Sequence, residues 1–367
     1  MSLFRCYDLA NLLQSQHKEP MEKLNQFIQC QGWSFYGITD IKTLDTALRK
    51  HQIFFDEWVK KGYEADMHYL ERMEEDRFSP ENKLPDVKSV IVLGTIYSDG
   101  GSNCRSNGGL VARYARGKDY HKILKKKLIE LSDWLKLQST NYNLQTYVSV
   151  DSGPTVDRVL AECAGLGFFG KNCNIVNPRY GSYFFIASLM TNLDLPPTAI
   201  GRMPNCGDCQ KCQKACPTGA LVKPGVLDAR KCVSYLTIEN KDGIPPEFRM
   251  KIGSRLFGCD ACQECCPFNE RKQDVLIDQF KPENGAGDSL DLKEVLAIKS
   301  DEEFAERFAG TPLMRAKRRG LLRNACIVAG NSGDKSLIPY LKKLVKREDD
   351  EMLKEHADWA IGQLKKN

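Results

Sequence analysis

Eight of the chain's 15 cysteines fall in two short runs. The first is Cys206-Gly-Asp-Cys209-Gln-Lys-Cys212-Gln-Lys-Ala-Cys216-Pro217, and the second is Cys259-Asp-Ala-Cys262-Gln-Glu-Cys265-Cys266-Pro267. Three closely spaced thiolates followed by a cysteine before proline is the spacing of bacterial ferredoxins, in which the last cysteine ligates the other of two [4Fe–4S] clusters. Such an arrangement moves single electrons. Two cubanes need eight thiolates, four apiece. Aligning the runs on their Cys-Pro ends sets Cys209, Cys212 and Cys216 against Cys259, Cys262 and Cys266, and leaves Leu256 opposite Cys206. Cys232, between the runs, makes up the number. The expected ligand sets are Cys206, Cys209, Cys212 and Cys266 for one cluster, and Cys216, Cys232, Cys259 and Cys262 for the other. Cys265 competes with Cys266 on spacing alone; only the Cys-Pro alignment excludes it. A structural zinc site would use two separated cysteine pairs rather than so dense a run.

The second chemical constellation lies upstream, in Val150-Asp-Ser-Gly-Pro-Thr-Val-Asp-Arg158 and the glycine turn Gly165-Leu-Gly-Phe-Phe-Gly-Lys-Asn172. Asp151 stands at the end of an apolar strand, where desolvation would raise its pKa and suit it to donate a proton. The bland alternative is an N-cap for the next helix. Gly165, Gly167 and Gly170 permit close backbone approach to a ligand, with Lys171 and Asn172 following as donors. The turn follows a helix rather than a strand, which does not fit a dinucleotide fingerprint. A third feature is basic. Arg315, Lys317, Arg318, Arg319 and Arg323 share one segment without an acid, and on a helix Arg315, Arg319 and Arg323 fall at i, i+4 and i+8. Such a stripe suits a phosphate backbone, and a solvated helix face fits equally.

Apolar spacing places these groups on elements. Residues 21–32 and 43–62 read as helices, 86–97 as a buried strand, and 119–137 as a helix. Residues 145–150 read as the strand that delivers Asp151, 155–164 as a helix, and 183–189 as a further strand. A linker at 196–204 precedes the ferredoxin-like module, and a polar stretch at 281–289 precedes a helical tail whose apolar faces resemble HEAT-type helix pairs. The expected class is α+β. Its parts are an α/β domain over 1–200, the two-cluster module over 201–275, a connecting segment over 276–310 and a HEAT-like helical unit over 311–367. The formal charge of +5 is too small to name a partner. The first twenty residues lack a long apolar run and a twin-arginine signal, and no run approaches the ~20 residues of a membrane span. The expectation is a cytoplasmic monomer with reduced thiols and no membrane contact.

Taken together, the ordered motifs resemble those of the epoxyqueuosine reductase family, which acts in making the wobble base queuosine in tRNA. The likeness rests on Val150-Asp-Ser-Gly-Pro, Asp-Arg158, the turn to Asn172, the upstream Arg-Tyr-Ala-Arg-Gly-Lys-Asp-Tyr-His121, both cysteine runs, Cys232-Val-Ser-Tyr-Leu-Thr, and the Arg-Asn-Ala segment at Arg323. The resemblance implies cobalamin bound base-off in the N-terminal domain, two [4Fe–4S] clusters fed by a flavodoxin or ferredoxin, and a C-terminal unit that helps hold a tRNA anticodon stem-loop. It implies Asp151 as the proton donor. It implies Arg77, Val111, Asp151, Arg158, Lys171, Asn172, Ile175, Ser182 and Ser234 around the corrinoid, and Arg315, Lys317, Arg318 and Arg319 toward RNA. Some relatives carry a cysteine where this chain has Val111, so a thiol there is not required. The Asp-x-His-x-x-Gly cobalamin motif is absent, since Asp66-Met-His68 is followed by Tyr-Leu-Glu. Reductive dehalogenases share the cobalamin and two-cluster plan. The missing export signal and the basic tail disfavour that reading, and a bare electron carrier leaves the Asp151–Asn172 constellation without a use.

Overall fold

A computed structural model describes residues 19–72, 74–98, 108–139 and 141–366. Its organising element is β2 (Ser89–Ile96), which is buried along its whole length. β2 pairs antiparallel with β1 (Phe35–Asp40) on one side and β5 (Phe184–Thr191) on the other, and β5 pairs with β4 (Thr146–Ser149). Alternate residues of a strand face opposite sides, and both sides of this sheet are covered. Ile91 and Leu93 pack into a cluster with Leu24 and Ile28 of α1 (Glu19–Cys30) and with Leu124, Leu128, Leu131 and Leu135 of the helix Tyr120–Gln138. Val90 and Val92 face Leu44 and Leu48 of α2 (Ile41–Lys60), and Val159 and Leu160 of the helix Asp157–Cys163. Two aspartates set helix starts by side-chain capping: Asp40 accepts from Thr43 N–H, and Asp119 from His121 N–H. The second cap also fixes the place of His121.

A second, three-stranded sheet ties distant parts of the chain together. β3 (Gly109–Val111) pairs in parallel with β6 (Arg255–Phe257) and antiparallel with β7 (Ser289–Leu290). The cysteine module therefore shares strands with the segments on either side of it. Its seam with the N-terminal sheet is tight at Gly181, whose φ is +74° and where a Cβ would stand 2.2 Å from the Asn269 Oδ1. The same Asn269 oxygen accepts from Ser182 N–H at 2.7 Å.

Three helices close the chain: Lys317–Ser332, Ile338–Arg347 and Glu351–Lys366. The first is buried from Gly320 to Gly330, as expected of a helix packed on all sides. Its Gly330 lets Glu351–Lys366 approach, since a Cβ there would lie 2.7 Å from the Trp359 ring. Arg323 and Asn324 pin this helix to the cysteine module through backbone carbonyls of Leu236, Thr237, Asn240, Asp242 and Leu256. Among the described residues, no helix is long and apolar enough to cross a membrane.

Candidate active site and cluster ligands

The cysteines of the two runs gather into two neighbourhoods. Burial raises the thiol pKa of Cys266, and the nearby Cys206, Cys212 and Cys209 add to the rise. Cys262 is likewise raised by burial and then by Cys259, Cys232 and Cys216. The first neighbourhood also takes in Cys265, so proximity alone does not choose between Cys265 and Cys266. Cys216 and Cys266 share an extended backbone, with φ/ψ of −68°/114° and −78°/123°. The proline after each enforces that conformation. Cys265 ends the short helix Ala261–Glu264 in a helical conformation. It neighbours Cys212, Cys266 and Cys209, and its Sγ reaches the Cys262 carbonyl at 3.6 Å. Sulfurs around a tetrahedral zinc lie about 3.8 Å apart, given Zn–S bonds of about 2.3 Å. Among the described residues, the only three donors within 4.8 Å of one another are on Glu64, His68 and Glu71. Among the described residues, no three cysteine sulfurs lie within 4.8 Å of one another. Backbone N–H groups already point at two of them: Lys171 N–H at Cys206 Sγ (3.4 Å) and Ala220 N–H at Cys216 Sγ (3.2 Å).

Asp151 lies just beyond β4, with φ at +54°, a left-handed value that is uncommon for a residue with a Cβ. Its Oδ2 accepts from the Tyr120 hydroxyl and faces His121 Nε2 at 3.6 Å. Asp119 holds the other imidazole nitrogen, Nδ1, at 2.7 Å. The two sequence expectations for Asp151 both need correction. It caps no helix, because the following helix has Val156 at its N-cap and no side-chain cap bond. Nor is its pKa raised. Desolvation pushes it up, but hydrogen bonds from His121 and Tyr120 outweigh this and hold the carboxyl below its ordinary value. Its side chain is 63% exposed. The proton sits on His121 instead. Burial would lower the imidazole pKa, but Asp119 and Asp151 together raise it to about 9. A raised carboxyl stands close by in Asp157, pushed to about 7 by burial and then by the charge of Asp151. The sequence singled out neither His121 nor Asp157 as a proton-holding group. The Lys-Asp-Tyr-His121 run marked a likeness without a role, and Asp157 stood only as part of the Val150–Arg158 stretch. Tyr114 links this centre to the cysteine module, its ring 6.5 Å from that of Tyr120 and 6.3 Å from that of Phe257, two residues before Cys259.

The other expected lining residues are spread along the seam. The Lys171 ammonium binds the carbonyl of Cys209 at 3.0 Å, and Asn172 Nδ2 binds that of Cys262 at 3.2 Å. Ser182 Oγ donates to Gln263 Oε1 at 2.8 Å, and Arg158 Nη1 donates to the Cys173 carbonyl at 2.6 Å. Ser234 lies in the short helix that follows Cys232. Val111 and Ile175 are only 1% and 3% exposed and pack into separate apolar clusters, so their side chains are core. Arg77 is half-buried, and its Nε is an enclosed donor without a hydrogen-bond partner.

The basic segment is not the helical stripe that its spacing suggests. Arg315 belongs to a 3-10 turn over Pro312–Ala316, the helix begins only at Lys317, and Arg323 is fully buried. Arg315 makes a two-pronged pair with Glu239 at 2.8 and 2.9 Å and lies over the Tyr69 ring. Arg318, 12% exposed, is paired with Glu348 and bonded to the Ile298 carbonyl, so its guanidinium is engaged within the fold. Arg319 pairs with Asp350. Lys317 is exposed, and among the described residues no ion pair involves it.

Comparison with known proteins agrees across sequence and structure. A family model described as "Epoxyqueuosine reductase QueG, DUF1730" matches residues 77–152, and one described as a 4Fe-4S double cluster binding domain matches residues 205–269. The chain is 37% identical to the epoxyqueuosine reductase of Bacillus subtilis over 349 residues, covering 94% of this chain and 87% of that one. It is 36% identical to the epoxyqueuosine reductase of Pseudomonas aeruginosa over 337 residues, covering 90% of each. A solved B. subtilis epoxyqueuosine reductase, whose catalytic aspartate loop is swung out of the active site, is similar with a TM-score of 0.81 and 34% identity over 94% of this chain and 90% of that one. A second structure, an epoxyqueuosine reductase with an epoxyqueuosine-modified tRNA-Tyr stem loop, is similar with a TM-score of 0.78 and 32% identity over 95% of this chain and 99% of that one.

Proposed function

The chain belongs to the epoxyqueuosine reductase family, and from that premise we propose how its residues remove the epoxide oxygen of epoxyqueuosine in tRNA. The net change takes up two electrons and two protons, breaks both C–O bonds of the epoxide, leaves a carbon–carbon double bond, and releases water. The module over 205–269 holds iron–sulfur clusters. We assign one to Cys206, Cys209, Cys212 and Cys266, and the other to Cys216, Cys232, Cys259 and Cys262. An external flavodoxin or ferredoxin suits as the electron source.

Cobalamin fits these residues on one count: Arg77, beside Leu48, Pro80, Thr155 and Leu160, keeps a buried donor without a partner, and a corrin rim carries amide acceptors. Arg77, Arg158, Lys171, Asn172, Ser182 and Ser234 would hold it. Val111 and Ile175, whose side chains are core, would contribute backbone only. When bound, the group supplies a low-valent cobalt for reductive C–O cleavage.

The chain's own part is proton supply. Asp151 is ionised while it is tied to Tyr120 and His121, and His121 carries the proton at neutral pH. His121 Nε2 would hand its proton through Asp151 to the leaving oxygen only as the C–O bond breaks and negative charge builds there, while Asp119 fixes the ring through Nδ1. One observation carries this reading. A chain that matches epoxyqueuosine reductases along nearly its whole length places Asp151 against Tyr120 and His121, one ring away from the cysteine module. In the tail, Arg315, Lys317 and Arg319 form the edge offered to RNA phosphates, and residues 311–367 form the unit that carries them. The test is single-turnover reduction of an epoxyqueuosine stem-loop by Asp151→Asn. The amide keeps the shape and loses the proton, so the rate should fall by ~10²–10⁴-fold while stem-loop binding persists. A near-wild-type rate would remove Asp151 from the chemistry.

A further inference from the structure

We propose that Asp157 is the latch of the loop that carries Asp151. The loop runs from the end of β4 to the helix Asp157–Cys163, and the Asp157 carboxyl ties both of its ends. Oδ2 accepts from the Asp151 backbone N–H at 3.1 Å, and Oδ1 accepts from the Thr155 hydroxyl at 2.6 Å. The Thr155 hydroxyl also meets Ser149 Oγ on β4 at 2.9 Å, which closes the loop onto the sheet. There is little slack inside it, because a Cβ at Gly153 would stand 2.6 Å from Ser149 Oγ. A left-handed aspartate persists only where its surroundings hold it, and the bond from Asp151 N–H to Asp157 is the nearest such restraint. In the B. subtilis relative the catalytic aspartate loop has been captured swung out, so in that protein the loop has more than one position.

The latch depends on charge. An ionised carboxylate accepts from both donors; once protonated, the bond from the Asp151 N–H loses its charge assistance and the Thr155 hydroxyl must turn round to accept. The charged and titratable groups that bear on Asp157 are Asp151 and Arg158, with Arg77 and Tyr147 on the neighbouring elements. Burial and the Asp151 charge push Asp157 to about 7, while Thr155 and the Asp151 N–H pull the other way. The latch is thus closed above neutral pH and slack below it. Asp157 acts through Asp151 and is a positioning residue, and its catalytic consequence rests on the reading of Asp151 as proton donor.

The test uses holoenzyme carrying clusters and cobalamin, and follows hydrogen–deuterium exchange across residues 150–156 between pH 6 and 8, corrected for intrinsic exchange. In wild type, protection of this segment should fall by roughly tenfold as pH drops through about 7, the worth of one modest hydrogen bond. Asp157→Asn keeps the shape and loses the charge, so it should be weakly protected at every pH, with no step. Thr155→Val removes a bond that lowers the Asp157 pKa, so the step should move to higher pH. Stem-loop reduction by Asp157→Asn should fall by about the same factor at pH 8, with KM unchanged. Wild-type protection and an intact step in Asp157→Asn overturn the latch. Lost protection with an unchanged rate upholds the latch and overturns the role given to Asp151.

Discussion

Replacing Arg323 by Met tests what joins the C-terminal helices to the cysteine module. Arg323 is fully buried and donates to the carbonyls of Asn240 (2.8 Å), Asp242 (2.6 Å) and Leu236 (2.7 Å), and to Asn324 Oδ1. Methionine fills much of the volume and offers no donor. Three buried acceptors, the Asn240 and Leu236 carbonyls and Asn324 Oδ1, would lose a partner, at ~1–3 kcal/mol each, or roughly 3–9 kcal/mol in all. Against that stands the relief of no longer burying a cation. Burial lowers the guanidinium pKa from 12.5 to about 10, a cost of ~3 kcal/mol at 1.36 kcal/mol per unit. The difference spans ~0–6 kcal/mol and is centred on a loss of ~3 kcal/mol. It should be local as well as global, because Leu236 lies in the helix that follows Cys232. The assay is urea unfolding of holoenzyme, followed by cluster absorbance and far-ultraviolet circular dichroism, with hydrogen exchange over residues 233–242. Expected results are an earlier transition, faster exchange in that segment and faster loss of iron. A midpoint within about 0.5 kcal/mol of wild type, with unchanged exchange, would show that the carbonyls find other partners and that the arginine is not the joint.

Two more outcomes follow from the site. Cys265→Ala should keep both clusters, whereas Cys266→Ala should lose or degrade one; iron and sulfide titration decides, and loss in Cys265→Ala alone reverses the ligand assignment. In the tail, Lys317→Glu with Arg315→Glu should weaken stem-loop binding and flatten the dependence of log K on log salt by ~0.7–0.9 for each phosphate no longer neutralised. Arg318→Ala should instead destabilise the fold with little change in that slope, since its partner is Glu348. Equal affinity and parallel slopes for the Lys317/Arg315 double variant would leave this edge without an RNA role.

Much of the chain's local structure follows from its pattern. The strand expected over 86–97 is β2 (Ser89–Ile96), and the helix expected over 119–137 is Tyr120–Gln138. The strand and helix flanking Asp151 are Thr146–Ser149 and Asp157–Cys163. Both kinds of element announce themselves by a period of two or 3.6 residues. The cysteine runs are legible for a different reason: cluster ligation is fixed by spacings of a few residues, and proline sets the backbone of the cysteine before it. What spacing could not supply was anything that depends on a partner distant in sequence. The sheet that joins residues 109–111, 255–257 and 289–290 is made of strands too short to show a period. The arginines of the tail looked alike in sequence. Tertiary structure gave them Glu239, Glu348, Asp350 and a set of backbone carbonyls as separate fates. The same is true of the proton. Sequence could name Asp151 as a carboxyl at a strand end, but its pKa is set by His121 and Tyr120, thirty residues earlier in the chain, and theirs by Asp119 and burial. A pKa is a sum over charges, donors and solvent within a few ångströms, and only the folded chain decides which groups those are.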